Sequence, residues 1–422
     1  MYTFKSADIL LPVNLTQSWP VIACDQFTSQ PQYWEKVWEN VGTNPSTLHI
    51  ILPEIELNGE YESRISQINQ TMEKYLQDGI FKEYTNAFVY VERTLVNGKV
   101  RKGVIGAVDL EDYDYSADAT SNIRATEKTV VERIPPRKKI RQNAPIELPH
   151  ILLLCDDAKK LLIESVTAVK DQLPLLYDFD LMENGGHITG WLLQGEAAAA
   201  FEQQMAAYVE RTQAKYSSLG KEPMLFAVGD GNHSLATAKA CYEALKEKCG
   251  AEAVSDHPSR YALVELENIH DEAQEFEAIH RILTGVEPKE LLEALQKECC
   301  VAAPKESEAA VETIGIPINW YSKEEHSTVY LDPAKGQLAV GILQNFLDAY
   351  LEGTEGEIDY IHGDDALQAL AEKDNAIGFL LPAMEKGQLF PGIIMDGVLP
   401  RKTFSMGHAQ EKRYYMEARK II

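Results

Sequence analysis

The chain has 422 residues, 45% of them hydrophobic and 25% charged. That is ordinary globular composition, with length for two or three domains. Lys and Arg total 40 against 65 Asp and Glu, a net charge of −25. This balance argues against a nucleic-acid or anionic-membrane partner, which needs a basic surface, but leaves room for a local cationic pocket.

In chain order, residues 1–30 read as extended, with Leu10, Leu11, Val21 and Ile22 in strand fragments between prolines. Pro31 opens a helix striped by Trp34, Val37, Trp38 and Val41. A second helix carries Tyr61, Ile65, Ile68, Met72 and Leu76 and stops at Gly79. Phe88–Leu95 and Val100–Val108 flank Asn97-Gly98, a hairpin signal. Residues 109–149 are polar and hold a dense Arg/Lys cluster. Asp156 is expected to cap a helix striped by Leu161, Leu162 and Val169. A second hairpin joins Leu175–Leu181 to Ile188–Leu193 around Asn184-Gly185-Gly186. The Ala-rich stretch 196–218 is helical and ends at Gly220. Met224–Val228 reads as a buried strand, and Leu235, Ala238, Tyr242 and Leu245 recur behind it at helical spacing. Tyr261–Leu266 is a strand. Phe276, Ile279 and Leu283 predict a helix over 271–283. Strands follow at Ile314–Tyr321 and Thr328–Leu331, then a helix near Leu343–Leu351, a strand–turn–helix passage through Tyr360–Asp365, and a strand at Ile377–Leu381.

Strands and helices interleave throughout, so the class is α/β or α+β with mixed sheets. Pro288 and the Ala/Glu-rich stretch 301–312 suggest a boundary. The expected division is a main α/β domain over 1–286, carrying the site, and an α+β domain over 287–422. The six cysteines, Cys24, Cys155, Cys241, Cys249, Cys299 and Cys300, include no Cys-x-x-Cys pair. Reduced thiols in the cytoplasm are expected, not a disulfide framework or zinc site. No signal-peptide pattern and no membrane-length apolar run is evident.

The chemistry concentrates at Asp230-Gly-Asn-His-Ser234. A Gly-flanked turn carries Asp230 and His233 from a strand into a helix start, where backbone amides and the helix dipole favour an anion. An ordinary turn capped by Asn232 or Ser234 has the same composition. A second cluster joins Arg124-Ala-Thr-Glu127 to Arg133, Arg137, Lys138, Lys139 and Arg141. Guanidinium groups there bind phosphate or carboxylate, or pair on a solvated loop. His280-Arg281 and Lys402 are further candidates, with a half-buried structural histidine as the alternative for His280. Asp359, His362, Asp364 and Asp365 read as an acidic helix start more readily than as a metal site. Gly-x-x-x-x-Gly-Lys-Ser/Thr, Gly-x-Ser-x-Gly and His-Glu-x-x-His are all missing, which disfavours P-loop hydrolysis, the α/β-hydrolase elbow and zincin proteolysis.

Taken together, Asp230-Gly-Asn-His-Ser234, Arg124-Ala-Thr-Glu-Lys-Thr129, Ile279-His-Arg281 and Pro400-Arg-Lys-Thr403 resemble, in order, the marks of the prokaryotic family DUF1015. Asn232 stands where that family has His, Ser234 where it has Arg, and Thr126 where it has His, so the chain resembles a divergent branch. The turn alone is also similar to that of ParB/sulfiredoxin-like free-serine kinases. That likeness implies a ParB/sulfiredoxin-like portion, a helix start on nucleotide phosphates, and a Glu acting as base. The cofactors it points to are Mg²⁺ with ATP or ADP.

The reading is a small-molecule enzyme taking a phosphorylated or nucleotide ligand, by phosphoryl transfer to or from a small hydroxy or amino acid. Asn232, Ser234, Arg124, Arg133 and Arg137, with Arg281 and Lys402, would hold the anion. Glu127 or Asp230 would be base or metal ligand, and His233 and His280 acid or phosphate contacts. A non-catalytic metabolite-binding regulator and a hydrolase using the same residues are the alternatives.

Overall fold

The computed structural model describes residues 3–57, 61–129, 134–301, 315–336, 338–400 and 402–422. Contacts divide the chain into two units, Met1–Gln274 with Gly407–Ile422, and Glu275–Met406.

The first unit is built on an eleven-stranded mixed sheet. Its strands are β1 (Phe4–Lys5), β2 (Ala7–Pro12), β3 (Phe81–Thr94), β4 (Val100–Asp109), β5 (Tyr113–Asp114), β6 (Ile123–Ala125), β7 (Leu152–Cys155), β8 (Leu175–Asp180), β9 (His187–Leu193), β10 (Phe226–Asp230) and β11 (Tyr261–Asn268). The order is β5-β6-β10-β7-β11-β4-β3-β9-β8, with β1 on β4 and β2 on β3. Parallel pairing joins β5 to β6, β6 to β10 and β7 to β11. The two-residue period of a strand sends alternate side chains to opposite faces. Phe88 and Tyr90 of β3 join the core under α5 (Glu196–Tyr216) and α6 (Asn232–Cys249), while Val89 and Val91 join the core under α1 (Pro31–Val41) and α2 (Glu62–Gln77). So the sheet is covered on both faces. Two short helices complete the unit, α3 (Ile134–Arg141) and α4 (Ile163–Thr167).

The C-terminal tail belongs to this unit. Tyr414, Tyr415, Met416, Ala418 and Ile421 are buried in the α1–α2 core. Trp19 donates its indole N–H to the Met416 carbonyl at 2.8 Å, and Arg419–Lys420 pair with Ile146–Glu147.

The second unit has an antiparallel five-stranded sheet. Its strands are β12 (Phe276–Ala278) and β18 (Phe404–Met406), which pair only with each other, and β13 (His280–Thr284), β14 (Ile316–Ser322), β15 (His326–Leu331), β16 (Glu357–Ile361) and β17 (Ala376–Leu380), in sheet order β15-β14-β17-β13-β16. Helices α7 (Pro288–Cys299), α8 (Ala339–Leu351), α9 (Asp364–Ala371) and α10 (Leu389–Asp396) accompany it.

Three local expectations are corrected. The helix expected over 271–283 is two strands, β12 and β13. Every residue of His280–Leu283 is buried, so no amphipathic period exists to read. No aspartate caps α4, whose N-cap position is Leu162; Asp157, not Asp156, bonds the chain just before it. Asp157 Oδ2 accepts the Leu161 and Leu162 amides at 2.6 and 2.8 Å, while Leu161 and Val169 are exposed. Residues 134–141, within the polar stretch whose alternative reading is a solvated loop, form α3 despite Pro135-Pro136, because prolines are tolerated in a first helical turn. All six cysteines are free thiols. Among the described residues no helix is long and apolar enough to cross a membrane.

An ionic network is buried between β11 and the tail. Arg413 pairs with Glu265 and with Glu417, the latter at 2.5 Å. Tyr177 donates its hydroxyl to Glu417 at 2.6 Å. Arg101 lies 2.9 Å from Glu267, which also accepts the Gln274 amide. A Cβ on Gly103 would fall 2.5 Å from the Glu265 carboxylate, so a glycine is required opposite it. Burial, opposed by Arg101 and reinforced by the Glu265 carboxylate, pushes the Glu267 carboxyl up to about 8, from 4.5. Between those values the folded chain keeps a proton that the unfolded chain releases. Stability from this group is therefore lost as pH rises through that window. Urea titrations at several pH values should show wild type losing stability toward pH 8 relative to Glu267→Gln, which holds the neutral form throughout. Parallel curves for the two proteins would contradict this.

Candidate functional site

Strands β6 and β10 are parallel and in register at Ala125 and Val228, where β6 ends, and β10 runs two residues further to Asp230. Ligand sites of α/β sheets gather outside such carboxyl ends. From β10 the chain turns through Gly231 into α6. Gly231 has φ +78°, and a Cβ there would sit 3.0 Å from the Ile151 Cα. Only glycine meets both demands without strain. The turn places Asn232, His233 and Ser234 in the first helical turn, whose amides have no carbonyl within the helix to bond.

Asp230 is held at both oxygens. Oδ1 accepts the Gly231 amide at 2.9 Å, and Oδ2 lies 3.1 Å from the ammonium of Lys412, from the tail. Burial alone would raise its pKa. Lys412 and the nearby His150 overcome that, and the carboxyl titrates below its ordinary value. Beyond β6, Thr126 donates its hydroxyl to the Val228 carbonyl at 2.7 Å and lies 3.5 Å from the Asn232 amide nitrogen. The Asn232 Oδ1 is buried without a hydrogen-bond partner.

The Arg124–Glu127 segment thus comes alongside the turn, but Arg124 does not aim at it. Arg124 is buried, and its guanidinium donates to the carbonyls of Ser121 (2.9 Å), Glu222 (2.7 Å) and Pro223 (3.4 Å). Glu127 is half-buried on the strand-like continuation of β6. Arg133 lies outside the described residues. Arg137, on α3, pairs with Glu54.

The hub of the site is His150, which the sequence reading did not single out. Its Nε2 lies 3.3 Å from the Ser234 hydroxyl and 3.9 Å from an Asp25 oxygen. Its Nδ1 lies 2.8 Å from the Tyr415 hydroxyl, whose oxygen accepts the Cys24 amide at 3.2 Å. A cavity of about 140 Å³ opens here. It is lined by apolar residues that include Ile50, Leu52 and Met72 and by the polar or charged His150, Ser234, Arg137, Arg141 and Glu147. Asp230 and His233 do not line it. Burial pushes the Cys24 thiol up to about 12, so Cys24 is not a thiolate nucleophile at neutral pH.

The sequence pattern of the family described as "Protein of unknown function (DUF1015)" matches residues 8–350. The chain belongs to this family. No curated protein matches it. Among solved structures it is similar to a free serine kinase in complex with AMP, at 13% identity and TM-score 0.38, over 76% of this chain and 93% of the other. A conserved hypothetical protein from Pyrococcus furiosus is similar at 14% identity and TM-score 0.33, over 75% and 92%. SbnI with a C-terminal truncation, from Staphylococcus aureus, is similar at 11% identity and TM-score 0.35, over 74% and 85%.

The remaining candidates of this DUF1015 member lie in the second unit. His280, on β13, accepts the Leu381 amide at Nδ1 (3.2 Å), so Nε2 carries the proton and donates to Asp364 at 3.0 Å. Burial lowers its pKa, and Asp364 only partly restores it. Arg281 is fully buried. It donates to Gln344 at 2.7 Å and to the carbonyls of Ile279 (2.6 Å) and Lys402 (3.0 Å). The Lys402 side chain is exposed.

Lys412 and His150 were missed because neither sits in a motif. Nothing local in the sequence joins the tail or the early loop to the turn. Gly231→Ala should destabilise the protein by about 1–3 kcal/mol through positive φ and the Ile151 contact. A denaturation midpoint equal to wild type would show that the turn tolerates a side chain.

Proposed function

We propose that this chain is a small-molecule enzyme that binds a phosphorylated or nucleotide ligand at the β10–α6 turn. In its most concrete form it moves a phosphoryl group to or from a small hydroxy or amino acid. The observation that carries the reading is the convergence of an α6 start, the Asp230–Lys412 pair and the His150–Ser234 contact beside a cavity lined by polar and apolar residues. A helix start contributes about 0.3–1 kcal/mol toward an anion, and up to about 2 when partly buried. Lys412 and Arg137 stand at the site, each already facing a carboxylate, Asp230 and Glu54. A cavity of about 140 Å³ suits a small acid or the reacting end of a larger ligand.

Phosphoryl transfer needs positioning and charge neutralisation more than covalent chemistry. Here Lys412 would neutralise developing charge, Asp230 or Glu127 would take the hydroxyl proton, and His150 or His233 would donate to a phosphate oxygen. Among the described residues no three His, Cys, Asp or Glu side chains converge as a metal site. Lys412 already faces Asp230, which makes that carboxylate a poor Mg²⁺ ligand, and no step is assigned to a metal. A hydrolase is the second reading, favoured by the 3.3 Å Ser234–His150 contact.

Calorimetry against ATP, ADP, phosphoserine and inorganic phosphate tests the proposal. At least one should bind below millimolar concentration. Lys412→Ala should weaken that binding by about 1–3 kcal/mol, the scale of a lost charge-assisted hydrogen bond. Asp230→Asn should keep or slightly tighten binding while abolishing turnover. Retained turnover in Asp230→Asn would transfer the base role to Glu127. Absence of binding to all four ligands would defeat the reading.

A further inference from the structure

The groups around His150 decide which of its ring nitrogens bears a proton. On the Nδ1 side stands the Tyr415 hydroxyl, at 2.8 Å. Its oxygen already accepts the Cys24 amide, and Tyr415 is buried away from water. The phenolic proton therefore needs an acceptor within the core. The choices are the bare imidazole nitrogen and the Cys24 sulfur, and sulfur is by far the weaker. On the Nε2 side stand the Ser234 hydroxyl at 3.3 Å and the Asp25 carboxylate at 3.9 Å. A carboxylate only accepts. The Nδ1 side therefore sets the arrangement, Cys24 N–H to Tyr415 O–H to His150 Nδ1, with Nε2–H toward the Ser234 hydroxyl, which can donate or accept, and Asp25 too far to bond it.

We propose that Tyr415 is a positioning residue that locks His150 in the Nε2–H tautomer, so that the cavity meets a hydrogen-bond donor and selects ligands presenting an acceptor oxygen, such as phosphate or carboxylate. The ligand class holds only if the turn is the binding site argued above; the tautomer does not depend on it. The lock also decides between the two readings of the Ser234 contact. A histidine acting as base on Ser234 needs a bare Nε2. With Nε2 protonated, His150 donates toward Ser234 and the cavity. It acts as a donor to a bound anion, not as activator of a serine nucleophile. The other titratable groups facing this ring and cavity are Cys24, Asp25, Glu147, Asp230, Arg137 and Arg141. None of these offers Nδ1 a second donor of Tyr415's strength.

The test is the ¹⁵N spectrum of the histidine rings in the full-length protein at about pH 8.5, above the ordinary histidine range. The His150 signal is assigned by its loss in His150→Gln. Wild type should show a protonated Nε2 and a bare, hydrogen-bonded Nδ1. Tyr415→Phe should give a mixture of tautomers, with a thermal melt confirming that it folds. A dominant Nδ1–H form in wild type, or an unchanged tautomer in Tyr415→Phe, overturns the proposal. Titration with inorganic phosphate supplies the second readout. Tyr415→Phe should bind roughly three- to tenfold more weakly than wild type. In a His150→Gln background, where the amide N–H needs no tautomer, Tyr415→Phe should change affinity less than twofold. An equal loss in both backgrounds would assign Tyr415 a merely structural role. If wild type binds no phosphate yet shows the Nε2–H form, the proposed function fails and the positioning role stands.

Discussion

The site depends on one arginine buried in the core. Arg413 lies between Glu265 on the central sheet and Glu417 four residues further along the tail. A guanidinium placed there must be paired, because the desolvation of an unpaired buried charge costs several kcal/mol. The tail is thereby fixed against β11 at one residue. Its neighbours then have little freedom. Lys412 reaches Asp230, and Tyr415 reaches His150. Arg93 tightens the same segment by donating to the carbonyls of Gln410, Glu411 and Lys412. A residue some 180 positions away in sequence from Asp230 is so held within hydrogen-bonding distance of it.

Such a network is weak evidence for added stability, since a well-packed apolar core of the same shape often does as well. Its consequence here is placement. The carboxylates of Glu265 and Glu417 face Arg413, and the raised Glu267 carboxyl limits the excess of negative charge around Arg101. The tail is tied by side-chain charge and by short backbone bridges, Leu10 with Ala418 and Ile22 with Tyr414, not by a long strand ladder. A slip of one residue would move Arg413 away from Glu265, while Glu417, on the same segment, would move with it. The register of the tail, and with it the position of Lys412 and Tyr415, is set by that penalty.

What could be read in the sequence was local. The turn at Asp230–Ser234 announced itself through glycines between an apolar run and a helical stripe. The hairpin at Asn97-Gly98 and the helix behind Pro31 followed from the same kind of signal, and the structure has both. Where the reading failed, two environments produced one pattern. His280–Leu283 is a strand buried on both sides, and the spacing of Phe276, Ile279 and Leu283 matches a helix equally well. Arg124 carries a charge and so resembled a ligand residue. In the fold its donors go to backbone carbonyls, and no sequence pattern separates those two uses of a guanidinium. The partnership of His150 with Tyr415 spans 265 positions and leaves no local trace.

The departures from the family marks now have a physical setting. Ser234 stands in the first turn of α6, where the resemblance has an arginine. A cation at a helix start works against the dipole, whereas an uncharged hydroxyl there does not. Here the positive charge next to Asp230 comes from Lys412 on the tail, and Ser234 is instead in contact with a ring nitrogen of His150. Asn232 replaces a histidine with a shorter amide, which lies near Thr126 and leaves one acceptor oxygen buried without a partner. The turn keeps its backbone, because Gly231 permits nothing else beside Ile151. The charges beside the turn are set by position in the fold. In this chain they come from elements distant in sequence, and the turn supplies the amides, the carboxylate and the hydroxyl that those charges meet.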